Sequence, residues 1–269
     1  MDKATVAGIA LSFGGITAGL LLEGGKLSQI LQPTAALIVA GGTIGAVLLQ
    51  FPLRTVFAAA RNLSIVFFEP RYRASDEINR LTKLAQKARR DGIISLDAEL
   101  LGIADPFLRR ALMLAVDGTE SGELRAIMQL ELDASAEAEE ELPRVYEAAG
   151  GFAPTIGIIG AVLGLIQVMQ HLDKIDEVGR GIAVAFVATI YGVGFANLIA
   201  LPIAGKLRHR LRIRQILREL ILEGVVSILE GINPRMLEAK LNGFLQQVTE
   251  KHESGAPPEL ISKSNARGT

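Results

Sequence analysis

Gly150–Met169 (GGFAPTIGIIGAVLGLIQVM) and Gly181–Gly205 (GIAVAFVATIYGVGFANLIALPIAG) contain no Asp, Glu, Lys or Arg. Each is long enough to cross a bilayer, which takes about 20 apolar residues, and neither carries the polar stripe of a soluble surface helix. Yet they hold Pro154, Thr155, Thr189, Asn197 and Pro202, groups that hydrocarbon tolerates only where a partner satisfies them. The two stretches read as a membrane helical hairpin built to line something.

Two more apolar blocks precede them, which makes the fold class all-α integral membrane: four transmembrane helices with a helical cytoplasmic insert between the second and third. The expected organisation is a first helix pair in 1–52 (about 4–22 and 33–49), an insert in 53–150, a second pair in 151–205 (about 152–169 and 181–203) and a cytoplasmic tail in 206–269. Ser254–Thr269, rich in Ser, Gly and Pro, is expected to be disordered. Charged residues make up 21% of the chain, below the roughly 25% of soluble domains, and the mean hydropathy is +0.35. There is no cysteine, and His171, His209 and His252 are too scattered for a local metal site. No metal and no cofactor is expected, and no nucleic acid among the partners. The first apolar block has full span length and no small-residue cleavage pattern after it, so no cleavable signal is expected.

Lys and Arg set the orientation. The short loops Glu23–Gln32 and Gln170–Arg180 hold only Lys26, Lys174 and Arg180, whereas the insert holds thirteen, among them Arg54, Arg61, Arg71, Arg73, Arg89 and Arg90. The tail opens with Lys206, Arg208, Arg210, Arg212 and Arg214. Insert, tail and both termini are therefore expected in the cytoplasm.

Within the insert, Ile78, Leu81, Leu84, Ala85 and Ala88 share a helical face, with Asp76 and Glu77 in the first turn and Gly92 as the stop. Asp105-Pro106 predicts a capped helix running to Val116. A third helix is predicted from about Gly122 through the acidic run Glu137–Glu141, with Pro143 marking a break or kink. Gly15/Gly19, Gly41/Gly45 and Gly160/Gly164 are small-residue pairs of the kind that let membrane helices approach closely.

Ile182, Phe186, Thr189, Val193 and Asn197 share one face of the fourth span, and Thr155, Ile159, Val162 and Ile166 one face of the third. A threonine hydroxyl can bond a carbonyl of its own helix and be structural; the functional reading is that Thr155 and Thr189 line a wet path. Pro154 falls in the first turn of the third span and Pro202 in the last turn of the fourth, both towards the cytoplasmic side. Ionisable groups mark ion pathways in membranes, and none of the four spans contains one. If the chain moves ions, the titrating carboxylate comes from another polypeptide.

Two spans plus two, a charged helical insert, and the strings GGFAPTIGIIGAVLGLI, GIAVAFVATIYGVGFANLIALPIAGKL and PTAALIVAGGT (Pro33–Thr43) together resemble the flagellar motor stator A subunit, the MotA/PomA family, over about residues 5–245. The resemblance implies a subunit of the bacterial inner membrane that couples inward flow of protons or sodium to rotor torque, and no enzyme. It implies five copies around two B subunits, whose spans supply the ion-binding aspartate. Thr155, Phe186 and Thr189 would then belong to the ion pathway, with Pro154 and Pro202 coupling ion passage to movement. Ala88–Asp97 (ARRDGIISLD) is similar to the family's rotor-contacting motif, which implies Arg89 or Arg90 as the basic contact with the rotor switch protein and Asp97 or Glu99 as the acidic one. The family usually has glutamate where this chain has Asp97.

The nearest alternative is an ExbB/TolQ-like energiser of envelope processes, a type with three spans. A stand-alone transporter would need its own intramembrane ionisable residue or a discontinuous helix. A membrane scaffold predicts that Thr189→Ala leaves function intact.

Overall fold

A computed structural model of the chain describes residues 3–67 and 74–253; the tail 254–269, Arg71 and Arg73 lie outside the described residues. In chain order the helices are α1 (Lys3–Leu22), α2 (Leu27–Ile30), α3 (Pro33–Gln50), α4 (Leu53–Asn62), α5 (Ser64–Phe67), α6 (Ala74–Asp91), α7 (Asp97–Leu100), α8 (Pro106–Val116), α9 (Ser121–Gln170), α10 (Ile175–Phe195), α11 (Leu201–Leu229) and α12 (Pro234–Glu253). A 3-10 turn at Ile93–Leu96 precedes α7, and a π turn at Ala196–Ala200 joins α10 to α11. Among the described residues four stretches are long and apolar enough to span a bilayer: Ala4–Leu22, Pro33–Gln50, and parts of α9 and of Glu177–Leu229. The chain forms two compact units, residues 1–71 with 134–213 and residues 72–133 with 214–269.

In the first unit α3 buries Ala35, Val39, Thr43 and Val47, one residue per turn. Ala35 and Val39 pack with Val187 and Ala188 of α10. A second cluster joins Val47, Phe51, Ala59 and Val66 to Leu142 and Val145 of α9 and Leu207 and Leu211 of α11. None of the Ala4–Leu22 window of α1 is buried, although Lys206 donates a 2.6 Å hydrogen bond to Thr5 near its start.

The second unit is packed as a water-soluble helical domain is, around Leu81, Leu96, Leu108, Leu112, Leu124, Met128, Leu220, Leu237 and Leu241. Burying one such side chain contributes about 1.5–3 kcal/mol. Its helix ends match the sequence signals. Gly92 and Gly118 each take φ +85°, a left-handed backbone that glycine adopts without a Cβ penalty. Asp105 caps α8 by accepting from the backbone N–H groups of Phe107 (2.8 Å) and Leu108 (3.0 Å).

One expectation about a helix end is corrected. Pro143 does not break its helix: α9 continues through Pro143 and Pro154 without interruption. Buried Leu142 and Val145 flank Pro143, and this packing holds the helix against a proline cost of about 3 kcal/mol. Pro154 is accordingly interior to α9, and Pro202 interior to the continuous run from α10 to α11. Neither begins or ends a helix. Hydropathy marks where the membrane stops, and these helices run on beyond it.

Candidate functional site

The last two apolar stretches meet through their backbones. A Cβ added to Gly157 would lie 2.8 Å from the Ala188 carbonyl oxygen and 3.3 Å from Gly192 Cα; one on Gly164 would lie 2.8 Å from the Gly181 oxygen and 3.0 Å from the Ala185 nitrogen. A side chain at Gly192 would strike the Ala153 carbonyl. Of the three predicted glycine pairs, only Gly160/Gly164 lies on this seam; Gly15, Gly19, Gly41 and Gly45 have open space around them. Gly157, Gly181 and Gly192 were missed because each partner sits on the other helix, where spacing along one chain does not reach.

With the small residues turned inward, the bulky ones face out. Thr155, Ile159, Val162 and Ile166 of α9 are exposed, as are Ile182, Phe186, Val193 and Asn197 of α10, with Thr189 half-buried. Phe186, at 69% exposure, has no intramolecular pocket. The antiparallel register that pairs Ala153 with Gly192 and Gly157 with Ala188 puts Thr155 and Thr189 at the same height, with Phe186 one turn earlier on α10. Both hydroxyls are held by their own helices: Thr155 Oγ1 donates to the Phe152 oxygen (2.7 Å) and Thr189 Oγ1 to the Ala185 oxygen (3.2 Å). Each oxygen keeps lone pairs for an incoming donor. The face offers hydroxyls and an aromatic ring, with no charge of its own.

Pro154 and Pro202 are linked through Gly150. Proline cannot donate to the carbonyl four residues back, which for Pro154 is that of Gly150. Gly150 in turn abuts Leu201 and Ala200, where an added Cβ would come within 2.8 Å of Leu201 Cδ2. Before Pro202 the backbone widens, and the Leu201 N–H bonds back to the Ala196 oxygen, five residues earlier. Such π turns inside α-helices recur at functional sites. Asn197, within this turn, donates to the Val193 oxygen (2.9 Å).

Two contributions could not be read from the sequence. The π turn itself has no periodicity signal; Pro202 next to the lone Asn197 was the only hint. Tyr191 Oη donates to the Ile30 oxygen (2.6 Å) and accepts from the Gln32 N–H (3.3 Å), tying α10 to the turn before α3. A tyrosine inside an uncharged span was the available clue.

In the second unit the four charges singled out near Gly92 separate into two kinds. Arg90 forms a two-point pair with Asp91, Nε–Oδ1 2.9 Å and Nη2–Oδ2 2.8 Å; hydrogen bonding to Asp91 holds its pKa above the ordinary arginine value. Glu99 accepts from Lys87 Nζ at 2.5 Å. Arg89 and Asp97 are exposed, and neither has an ion-pair partner among the described residues. Buried Leu96 anchors the turn that presents Asp97.

Residues 100–220 match the family described as the MotA/TolQ/ExbB proton channel family, and residues 6–92 match the one described as Motility protein A N-terminal. Motility protein A of Bacillus subtilis is 37% identical over 91% of this chain and 91% of its own length. Chemotaxis protein PomA of Vibrio alginolyticus is 31% identical over 92% and 96%. Among solved structures, the C. jejuni MotAB structure superposes with a TM-score of 0.86 at 32% identity, covering 91% of this chain and 96% of that one. The flagellar MotAB stator complex from Bacillus subtilis gives 0.82 at 34%, covering 95% and 100%.

Proposed function

From the premise that the chain belongs to the MotA/PomA family of flagellar stator subunits, we propose how its residues share the work. It is a stator subunit of the flagellar motor, part of an ion channel whose energy drives motility. The face carrying Thr155, Phe186 and Thr189 lines the ion path and meets a span of a B-type partner, which supplies the titrating aspartate. Five copies of this chain enclose two of that partner in the bacterial inner membrane, with both termini in the cytoplasm. The ion is the proton, in keeping with the description of the matched family. No covalent step is needed.

One observation carries this reading. The glycine seam leaves an apolar, hydroxyl-bearing face uncovered in a pair of spans without a single Asp, Glu, Lys, Arg or His. A path for ions lined this way is incomplete until another chain brings a carboxylate. The hydrogen bond between Lys206 and Thr5 supports the orientation, since it brings the start of α1 to the start of the basic run. Four apolar helices favour the stator over the three-span ExbB/TolQ type.

Magnitudes limit what each ion can do. One charge falling through 100 mV releases about 2.3 kcal/mol, enough to exchange one or two hydrogen bonds worth about 0.5–1.5 kcal/mol each. That is too little to unwind a helical turn. It suffices to bend helices at Pro154 and Pro202, where a ladder bond is already missing. Rotor contact falls to Arg89 and Asp97, which have no ion-pair partner among the described residues, and Arg90 and Glu99 support them.

The test is proton uptake by vesicles holding the chain with its B-type partner. Thr189→Ala and Thr155→Val should each lower flux with assembly intact, and deleting the chain should leave flagella assembled but paralysed. Undiminished flux in both variants would return the molecule to a scaffold role. Normal swimming after deletion, with no second stator pair in the cell, would overturn the stator reading.

A further inference from the structure

The helix α4, Leu53–Asn62 (LRTVFAAARN), follows the second span after only Phe51 and Pro52. One side of it is built in. Ala59 is buried with Phe51 among Leu142, Val145, Leu207 and Leu211, with Val56 and Ala58 packed beside it. Tyr146 Oη donates to the Ala59 carbonyl at 3.1 Å, and Asn62 Nδ2 to that of Ala58 at 2.8 Å. The helix is thus pinned, and its orientation about its own axis is fixed.

The opposite side is divided lengthwise. Leu53 and Phe57, one turn apart, are 59% and 67% exposed, and Ala60 continues their row. Immediately beside that row, at helical spacing, run Arg54 and Arg61, both exposed and without an acidic partner among the described residues. They lie seven positions apart, about 10 Å along the axis. A water-facing helix has no use for an uncovered leucine and phenylalanine in register. A helix buried against protein would not leave two adjacent arginines unpaired. An apolar row flanked by a cationic row is the pattern of a helix lying in a membrane interface.

We propose that this face of α4 docks anionic phospholipid headgroups of the leaflet at the cytoplasmic ends of the spans. Leu53 and Phe57 enter the acyl boundary, and Arg54 and Arg61 each contact a lipid phosphate. This rests on the orientation given under the proposed function. Charge complementarity and continuity with the second span select the occupant: the bilayer lies within two residues of Leu53, and unpaired arginines concentrate anionic lipid there.

The chain has neither tryptophan nor cysteine, so both reporters can be unique. Phe57→Trp, in the full chain with its B-type partner, is reconstituted in phosphatidylcholine vesicles containing either brominated phosphatidylglycerol or brominated phosphatidylcholine. Brominated phosphatidylglycerol should quench the tryptophan at least about threefold more effectively, the local enrichment expected of two interfacial arginines. Adding Arg54→Gln and Arg61→Gln should bring the two lipids to parity while quenching persists. Equal quenching before the arginines are changed, or a preference that survives their loss, overturns the proposal. Absence of quenching by either lipid overturns it too, by showing a second copy or another protein on the face. Lys26→Cys, labelled by an impermeant maleimide from outside the cell, checks the orientation independently.

Discussion

Around Leu81 the core is dominated by leucines, with isoleucine, valine, methionine and phenylalanine filling in among a few alanines, and charges pair at the rim, as Arg125–Glu223 (2.8 Å) and Arg110–Glu131 (3.1 Å) do. Between α9 and α10 the arrangement is inverted: glycines and alanines touch across the seam, and phenylalanine, isoleucine and valine point away. The difference follows from the solvent. In water, burying apolar area drives association. In lipid it gains nothing, so helices hold together by close backbone approach and the bulky residues remain for lipid or for partner helices. The same composition of side chains is therefore core in one unit and outer surface in the other.

The comparison breaks first where it is strongest. Leu81→Ala should destabilise the second unit by about 2–5 kcal/mol, because Leu81 is fully buried and Gly224 packs directly against it. Urea titration of the purified full chain, read by protection of insert amides from hydrogen exchange, checks it; a loss below about 1 kcal/mol would mean that the site collapses to fill the gap. In the seam, Gly192→Ala adds a single methyl group and should cost about 1–3 kcal/mol, because backbone on the facing helix leaves no room for it. Gly45→Ala is its counterpart in open space and should gain up to about 1 kcal/mol of helix propensity. Thermal unfolding in detergent separates the two. An equal loss at Gly45 would reveal another helix packed on that face in the assembly.

The sequence was most informative where one chemical signal decided the outcome. Four uncharged blocks gave the spans. Asp105-Pro106 and Gly92 gave helix ends that the backbone conformations repeat. It misled where tertiary packing overrides a local rule: Pro143 reads as a break or kink, and α9 does not break there but runs on past buried Leu142 and Val145. Helix pairing was legible as a type of residue and not as positions, since Gly157 finds Ala188 and Gly192 only once the chain has folded back. At the candidate site Thr155, Phe186 and Thr189 could be assigned to faces from spacing alone. That those faces stay uncovered required coordinates.

The charged turn after α6 sharpens the comparison, because there the soluble unit also leaves groups unused. Arg89→Glu should slow swimming more than Arg90→Glu, and Asp97→Lys more than Glu99→Lys. Arg90 and Glu99 are already engaged by Asp91 and Lys87, so reversing either mainly rearranges an exposed pair of small worth. On the proposed rotor contact, reversing Arg89 or Asp97 would place the wrong sign before the rotor surface. Swimming speeds of the four strains, at matched levels of the chain in the membrane, decide it. Equal losses at Arg89 and Arg90 would show that the pair with Asp91 opens on contact with the rotor.

The smallest effect is expected at Glu77, where the soluble unit departs from its own rule by burying a carboxylate. Its Oε1 has no hydrogen-bond partner among the described residues, and Arg80 stands 4.0 Å away. Burial raises its pKa above the ordinary 4.5; Arg80 opposes the shift, while Asp105 and Asp76 add to it. The folded unit therefore holds this proton at pH values where the unfolded chain has released it, so stability falls as pH rises from 4.5 through the folded pKa. Above that window the ionised carboxylate is a standing cost. Glu77→Gln removes the titration and should raise the melting temperature of the second unit at neutral pH, with the gain shrinking towards pH 4.5. Melting curves of wild type and variant across that range test the sign. A gain that grew on acidification would mean that Arg80 closes on Glu77 and holds it ionised.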